Sequence, residues 1–105
     1  MARFDVYANQ GDRARSTPYL VDVQSDLLNG LDSRVVIPLR RVDFFPRVKI
    51  AAQLIPVMVI DGEQFLLETP KMAAVPRRIL GAPVSSLAAE HERITVAMDF
   101  LFQGF

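Results

Sequence analysis

Few side chains in this sequence have the types and spacing that covalent catalysis requires. His91 is the only histidine, the chain has no cysteine, and none of its five serines stands in a Gly-x-Ser-x-Gly sequence. A hydrolase needs a nucleophile with a neighbouring base, or a metal ion. His91 falls on an apolar helical stripe, which favours a packed core or interface histidine over a catalytic base. The sequence therefore predicts a protein that is not an enzyme and that has no metal site and no cofactor.

The charged residues offer binding chemistry rather than catalysis. Asp22 and Asp26 are interpreted as solvated surface carboxylates, since strand residues at this spacing need not converge. The pairs Arg40-Arg41 and Arg77-Arg78 could contact phosphate or an acidic peptide, or could form a solvated basic surface. Residues 34–49 carry five basic groups and one acidic group, yet the whole chain has a net charge of zero. A neutral chain lacks the basic face that bulk binding to nucleic acid requires.

The C-terminal sequence is unusually apolar for a chain end. Residues 100–105 read Phe-Leu-Phe-Gln-Gly-Phe, whereas chain ends are commonly polar and frayed. Phe100, Leu101 and Phe102 point in three directions around a helix, so one intramolecular core cannot cover them all. Burying a Phe side chain is worth about 1.5–3 kcal/mol. The ending therefore predicts a dimer interface, a docked tail or a recognition surface for a second protein, and a symmetric dimer could combine these by pairing two tails.

These residues belong to elements that the sequence pattern predicts. The length of 105 residues, half of them hydrophobic, indicates a single domain over 1–105. The period-2 alternation and turn residues predict five strands and an irregular segment over 69–84. The strands are Arg3–Ala8, Tyr19–Gln24, Arg34–Leu39 (stopped near Pro38), Val57–Ile60 and Glu63–Glu68, with turns at Asn29-Gly30 and Asp61-Gly62. A polar loop is expected over 9–17.

A helix follows these strands. Leu87, His91, Ile94, Met98 and Leu101 share one helical face, which predicts a helix over 87–102. Ser85-Ser86 offers its N-cap, Glu90 and Arg93 can pair, and Gly104 can end it. The fold class is therefore α+β on an antiparallel sheet. No signal peptide is evident, and no uncharged stretch reaches the roughly 20 residues of a membrane-spanning helix, so a cytoplasmic location without membrane contact is expected.

Several segments, in order and spacing, resemble the CcdB family of plasmid and chromosomal toxins. The most specific is the string Val-Asp-Val-Gln-Ser-Asp at residues 21–26. The others are Phe4-Asp5-Val6-Tyr7, Arg34-Val35-Val36-Ile37-Pro38-Leu39, Leu54 with Pro56-Val57, Met72-Ala73-Ala74-Val75-Pro76, Ile79-Leu80-Gly81 and Phe102-x-Gly104. The resemblance covers essentially the whole chain, with a short extension in the loop after Ala8.

The resemblance implies a fold and a set of partners. The fold is a small SH3-like antiparallel β-barrel with a long C-terminal helix, shared with MazF-type ribonucleases. CcdB proteins are non-catalytic homodimers that maintain plasmids, bind the A subunit of DNA gyrase and trap this topoisomerase on cleaved DNA. A CcdA antitoxin neutralises them through a disordered tail.

The resemblance also implies particular site residues. The positions that match the family's gyrase contacts are Leu27, Leu28, Asp99, Phe102, Gln103, Gly104 and Phe105. The loop after the first strand and the segment after the third imply antitoxin contacts at Arg13, Arg15, Arg40, Arg41 and Arg47. The changed loop predicts an altered antitoxin specificity.

The C-terminal site departs from the family pattern. Gln103 stands where the family has a Trp that stacks in the poison complex, Asp99 stands where Asn is usual, and Phe105 replaces an aliphatic residue. Losing such an aromatic commonly costs about 2 kcal/mol or more, so binding to gyrase is expected to be weak. Two alternatives stay open: a MazF-like endoribonuclease, and a non-toxic CcdB-derived binding module.

Overall fold

The fold is a nearly closed antiparallel β-barrel followed by one helix. A computed structural model describes residues 2–44 and 52–104. Over these residues seven strands form one sheet in the order β4-β5-β3-β2-β1-β7, with β6 also paired to β3. The elements are β1 Asp5–Ala8, β2 Tyr19–Asp22, β3 Ser33–Arg41, β4 Val57–Ile60, β5 Glu63–Leu67, β6 Ala73–Pro76, β7 Ser85–Ser86 and α1 His91–Gln103. The predicted α+β class and antiparallel sheet are confirmed.

The hairpin between β4 and β5 forms where the sequence predicts it. Ile60 pairs with Glu63 across the two-residue loop Asp61-Gly62. Both loop residues have positive φ, 52° for Asp61 and 81° for Gly62. A two-residue loop with this backbone matches the right-handed twist of the strands on either side, and Asp-Gly is a favoured pair for it. Local sequence is therefore sufficient to determine this part of the sheet.

The strand β3 continues through Pro38, so the prediction that it stops there is wrong. Along β3, residues 33–36 pair with β6 and residues 39–41 pair with β5. Pro38 lies at the point where one neighbour replaces the other, and its carbonyl accepts a 2.9 Å hydrogen bond from the Glu68 N–H. The missing N–H of Pro38 therefore falls at a break in the ladder, where no strand partner requires it.

Two further strand predictions need correction. Residues 73–76, predicted to be irregular, form β6, because this edge strand pairs only with β3 and tolerates Pro76 at its last position. The first strand begins at Asp5 rather than Arg3 because Phe4 has a φ of 73°, which is outside the β region. The Asn29-Gly30 turn is present, but Asn29 has a right-handed φ of −62°, so the turn does not depend on positive φ there.

The helix α1 is shorter at its start than the sequence predicts. Ser85 and Ser86 pair with β1 as strand β7 instead of capping the helix. The Ser86 hydroxyl accepts from the Ala88 N–H at 3.2 Å, just before a single 3-10 turn, Ala88–Glu90, whose N-cap is Leu87. The predicted Glu90–Arg93 ion pair is confirmed. The helix ends at Gln103 with Gly104 in the left-handed region, which also agrees with the sequence.

The core lies between the inner face of the sheet and one face of α1. Ile94 and Ala97 are completely buried on the helix, and Met98 packs at the edge. The buried apolar residues of this cluster are Phe4, Val6, Val21, Val23, Ile37, Leu39, Met58, Ile60, Phe65, Leu67, Leu87, Ile94 and Ala97. Within residues 2–44 and 52–104, no helix combines the length and apolar character needed to cross a membrane.

Tyr7 is buried on the opposite, outer face of the sheet. It packs in a small second cluster with Val36 and Leu80. Its hydroxyl has no hydrogen-bond partner in the part of the protein that the structure describes. Burial, with smaller contributions from the charges of Asp5 and Asp22, raises the pKa of Tyr7 above its ordinary value. The folded protein therefore favours the neutral phenol more strongly than the unfolded chain does.

We predict that Tyr7→Phe makes the protein less sensitive to alkaline pH. Above about pH 10 an unfolded tyrosine ionises while the buried one stays neutral, so the free energy of unfolding falls by up to about 1.4 kcal/mol per pH unit. Below that pH the contribution of Tyr7 is fully present. Urea unfolding between pH 8 and 11 measures the difference. The control Tyr19→Phe should keep the original alkaline loss, and equal slopes for Tyr7→Phe and the unaltered protein would contradict the prediction.

Candidate functional site

A short 3-10 turn presents two leucines to solvent. This turn, Asp26–Leu28, is called the recognition turn below. None of its residues is buried, and Leu27 and Leu28 are 94% and 48% exposed. The Ser25 hydroxyl caps the turn by accepting from the Leu27 N–H at 3.2 Å. The Asp26 carboxylate accepts from the Arg3 N–H at 2.7 Å, which attaches the turn to the start of the chain.

A second apolar surface lies at the end of α1. Asp99, Phe102, Gln103 and Gly104 are all exposed there, and Phe102 is 71% exposed. Phe100 and Leu101 are only partly covered, as expected for three apolar side chains that point in different directions. Asp99, Phe102, Gln103 and Gly104 are together called the helix end below. Phe105, the last predicted target contact, lies outside the described residues.

The recognition turn and the helix end are separate surfaces on one chain. The turn lies near the start of α1, since Arg3 bonds to Asp26 and the neighbouring Phe4 ring is 6.3 Å from the His91 ring. Phe102 is eleven residues further along α1, which corresponds to a rise of about 16 Å. No hydrogen bond or ion pair between described residues joins the two surfaces. The described target contacts that the resemblance implies thus fall on two surfaces, the recognition turn and the helix end.

A basic cavity of about 330 Å³ lies on the outer face of the sheet. Arg13 and Arg40, both predicted antitoxin contacts, line it together. The complete lining is Asn9, Arg13, Ser16, Thr17, Leu20, Pro38, Arg40, Glu68 and Lys71. Arg40 lies 3.8 Å from the Glu68 carboxylate, and the buried Nε of Arg40 has no hydrogen-bond partner in the described structure. Three cations and one carboxylate thus surround this space, which suits an anionic ligand.

The other predicted antitoxin contacts lie outside this cavity. The Arg41 side chain forms an ion pair with Glu63 and donates from Nε to the Arg15 carbonyl at 3.1 Å. Arg41 and Arg15 are therefore neighbours, but the Arg41 charge already has an acidic partner. Arg47 lies outside the described residues. Of the predicted antitoxin contacts, Arg13 and Arg40 thus line the basic cavity, whereas Arg15 and Arg41 form a separate pair on the surface.

His91 lies apart from any metal-binding arrangement in the described residues. His91 is exposed at the start of α1, so of the two predicted placements the core one is wrong and the interface one stays a prediction. The helix begins at His91, four residues later than predicted, which moves this ring to the rim beside Phe4. Within residues 2–44 and 52–104, no group of three or more His, Cys, Asp or Glu side chains could hold a metal ion.

Sequence reasoning missed the residues behind the recognition turn. Asp22 is not a solvated carboxylate, because it is fully buried in an ion pair with Arg34, whose side chain is also inaccessible. The available signal was Arg34 itself, a charged residue within an otherwise apolar β-branched strand. Such a residue is almost never fully buried without a partner. Lys71 was also missed, because the segment that carries it was treated as irregular.

One comparison with known proteins bears on the identity of the chain. The family model described as CcdB protein matches residues 3–104, which is nearly the whole sequence. The match includes both apolar surfaces and the basic cavity. It agrees with the resemblance that the sequence segments indicate, and the barrel with its C-terminal helix is consistent with it.

We predict that Gly104→Ala loosens the helix end. Gly104 has a φ of 82° and its N–H donates to the Phe100 carbonyl at 2.9 Å, so an alanine must adopt a left-handed backbone at a cost of about 1 kcal/mol. Faster hydrogen exchange of the residue 104 amide would report this. Gly30→Ala is the matched control, since both positions have open space for a Cβ but only Gly104 has a positive φ. Equal effects of the two substitutions on their own helix or turn amides would count against the explanation.

Proposed function

Because the chain belongs to the CcdB family, we propose that it is a toxin of a toxin–antitoxin system that acts by binding the A subunit of DNA gyrase. The mode of action is protein binding rather than catalysis, and a CcdA-like antitoxin neutralises it in the cytoplasm. The observation that carries this proposal is the pair of apolar surfaces at the recognition turn and the helix end. Exposed, ordered apolar side chains of this kind are typical of protein-binding sites.

The proposed active form is a homodimer. Phe102 is 71% exposed at the helix end, and no hydrogen bond or ion pair between described residues joins this end to the recognition turn. In a two-fold symmetric dimer the same patch is used by both copies, so the two helix ends can lie side by side. A dimer thus offers a larger continuous apolar surface to the target than one chain does.

Gln103 is the residue that weakens this assignment to gyrase. It is exposed at the helix end, at the position where the resemblance implies a stacking Trp. A Gln side chain cannot stack as an aromatic does, and burying its amide unpaired costs about 1–3 kcal/mol. Phe102 must then supply most of the apolar contact within the described part of the helix end. The proposed binding to gyrase is therefore weak.

We predict that Gln103→Trp strengthens binding to an isolated gyrase A fragment by about thirtyfold, because a hot-spot aromatic is commonly worth 2 kcal/mol or more. Titration calorimetry of both versions against the fragment measures the change. The matched control is Thr95→Trp, which adds the same ring at an exposed position elsewhere on α1 and should not raise the affinity. Light scattering should show the same dimer for all three proteins.

Two of three outcomes would contradict the proposal, and the first would contradict only the predicted weakness of binding. Tight binding by the unaltered protein would show that the Trp is dispensable. No gain from Gln103→Trp would show that the rest of the surface, including Asp99, does not fit gyrase. Cleavage of total cellular RNA by the pure protein would instead favour the MazF-like ribonuclease.

We further propose that the basic cavity receives an acidic segment of the antitoxin tail. Arg13 and Lys71 are exposed at its rim, and Arg40 is partly buried within it. The apolar parts of Leu20 and Pro38 also line the cavity, so it can hold an acidic side chain and an adjacent apolar one. Arg15, Arg41 and Arg47 remain proposed contacts outside it.

We predict that Arg13→Ala combined with Lys71→Ala lowers the affinity for the tail peptide of the cognate antitoxin by about tenfold, since charge-assisted hydrogen bonds contribute roughly 1.5–3 kcal/mol each when well formed. The loss should shrink at high salt. Fluorescence anisotropy of a labelled peptide measures it. Arg93→Ala combined with Arg78→Ala removes the same charge outside the basic cavity and should change the affinity less. Equal losses would indicate a general charge effect and not this site.

A further inference from the structure

Three polar side chains lie directly behind the recognition turn without belonging to either exposed surface. We propose that Gln24, Asn29 and Arg34 are positioning residues that hold the recognition turn in its exposed conformation for the target. This inference deepens the proposed function and rests on it in one respect, namely that Leu27 and Leu28 contact the target. The part that concerns the turn's conformation stands on the hydrogen bonds alone.

Arg34 provides the fixed point of this arrangement. Its Nε and Nη2 donate to the Asp22 Oδ2 at 2.8 and 2.5 Å, and both side chains are completely inaccessible to solvent. The planar guanidinium cannot rotate without breaking this fork. Its remaining nitrogen, Nη1, donates to the Asn29 Oδ1 at 2.6 Å. The residue that follows the recognition turn is thereby attached to a buried charge.

Gln24 provides a second attachment, to the last residue of the recognition turn. Its Nε2 donates to the Leu28 carbonyl at 3.2 Å, and its Oε1 accepts from the Val35 N–H at 3.0 Å. One buried amide therefore connects the last residue of the turn to β3. The Gln24 N–H also donates to the Asp22 Oδ1 at 2.9 Å, so Gln24 and Arg34 share a carboxylate. The two attachments form one network.

Arg77 adds a third attachment from outside the network. Its Nη1 donates to the Asn29 carbonyl at 2.8 Å, and its own N–H donates to the Asp32 carbonyl at 2.7 Å. Asn29 is thus held through its side chain by Arg34 and through its backbone by Arg77. Two separate arginines therefore hold the chain at Asn29, directly after the recognition turn.

The exposure of the recognition turn explains why it needs these attachments. A loop is usually held by burying an apolar side chain, but Leu27 is 94% exposed and no residue of the turn is buried. Apolar side chains gain nothing from staying in water, so the hydrogen bonds to the turn and to Asn29 keep the leucines exposed. A surface that is ordered before binding loses less conformational entropy when a partner arrives. The network therefore serves binding as well as folding.

The test compares Asn29→Ala with Asn29→Asp. Alanine removes the acceptor for Arg34, whereas aspartate keeps it. We expect Asn29→Ala to speed amide exchange at Leu28 and Leu31 by about tenfold, while exchange in β2 and β3 changes much less. Asn29→Asp should restore slow exchange. A merely structural role would raise exchange in the turn and the strands together.

A binding measurement adds a second, independent readout. Asn29→Ala should weaken binding to the gyrase A fragment by about tenfold, and the same change in a Leu27→Ala background should have a much smaller effect, because the two residues act through one contact. Equal losses in both backgrounds, or exchange in Asn29→Ala that matches the unaltered protein, would overturn the proposal. If the unaltered protein and Gln103→Trp both fail to bind the fragment, the proposed target is wrong, and the exchange comparison alone decides the positioning role.

Discussion

Asp22 and Arg34 form a buried ion pair that joins β2 to β3. The register of these two strands and the support of the recognition turn both depend on it. Removing two charges from water is expensive, and the cost is offset only where the geometry is good and the remaining hydrogen-bonding capacity is used. Here the Asp22 carboxylate accepts from Arg34 through one oxygen and from the Gln24 N–H through the other. Breaking such a pair by removing one partner costs about 3–5 kcal/mol. A one-residue slip between β2 and β3 would turn these side chains to the other face, so the ion pair also fixes their register.

The two faces of the sheet then have different roles. Along β2 and the residues after it, Val21 and Val23 enter the core whereas Asp22 and Gln24 lie on the other side. Along β3, Ile37 and Leu39 enter the core whereas Pro38 and Arg40 reach the outer face. The period of two in a strand thereby separates the main apolar core from the side chains that support the two binding surfaces. One end of this outer face supports the recognition turn and the other forms the basic cavity, so each can vary without changing the core.

The features that the sequence predicted well depend on neighbouring residues. Asp61-Gly62 determines its own hairpin, and Gly104 ends its own helix, because each acts through its local backbone. The errors arose where a distant partner decided the outcome. Pro38 stays within a strand because β5 replaces β6 beside it, and Asp22 is buried because Arg34, twelve residues away, reaches it. Ser85 and Ser86 would make good N-caps, but pairing with β1 used them as a strand instead. The described site residues named from the family resemblance are exposed, except Arg40 and Arg41, which are partly buried. Their supporting residues required the tertiary structure.

The residues that form the two apolar surfaces and the residues that support them are constrained to different degrees. Arg34 is constrained by the fold, since its guanidinium bonds to both Asp22 and Asn29 from a fully buried position. The side chain at Asn29 is constrained both by the buried Arg34 that bonds to it and by the recognition turn that it follows. The side chain at Gln103 is constrained by neither the fold nor the recognition turn. It is exposed, and the backbone of Gly104 ends the helix. A change at residue 103 can therefore alter the choice of partner while the barrel, the ion pair and the recognition turn stay as they are. Gln103, at the position where the resemblance implies a Trp, therefore lies where the fold constrains the side chain least.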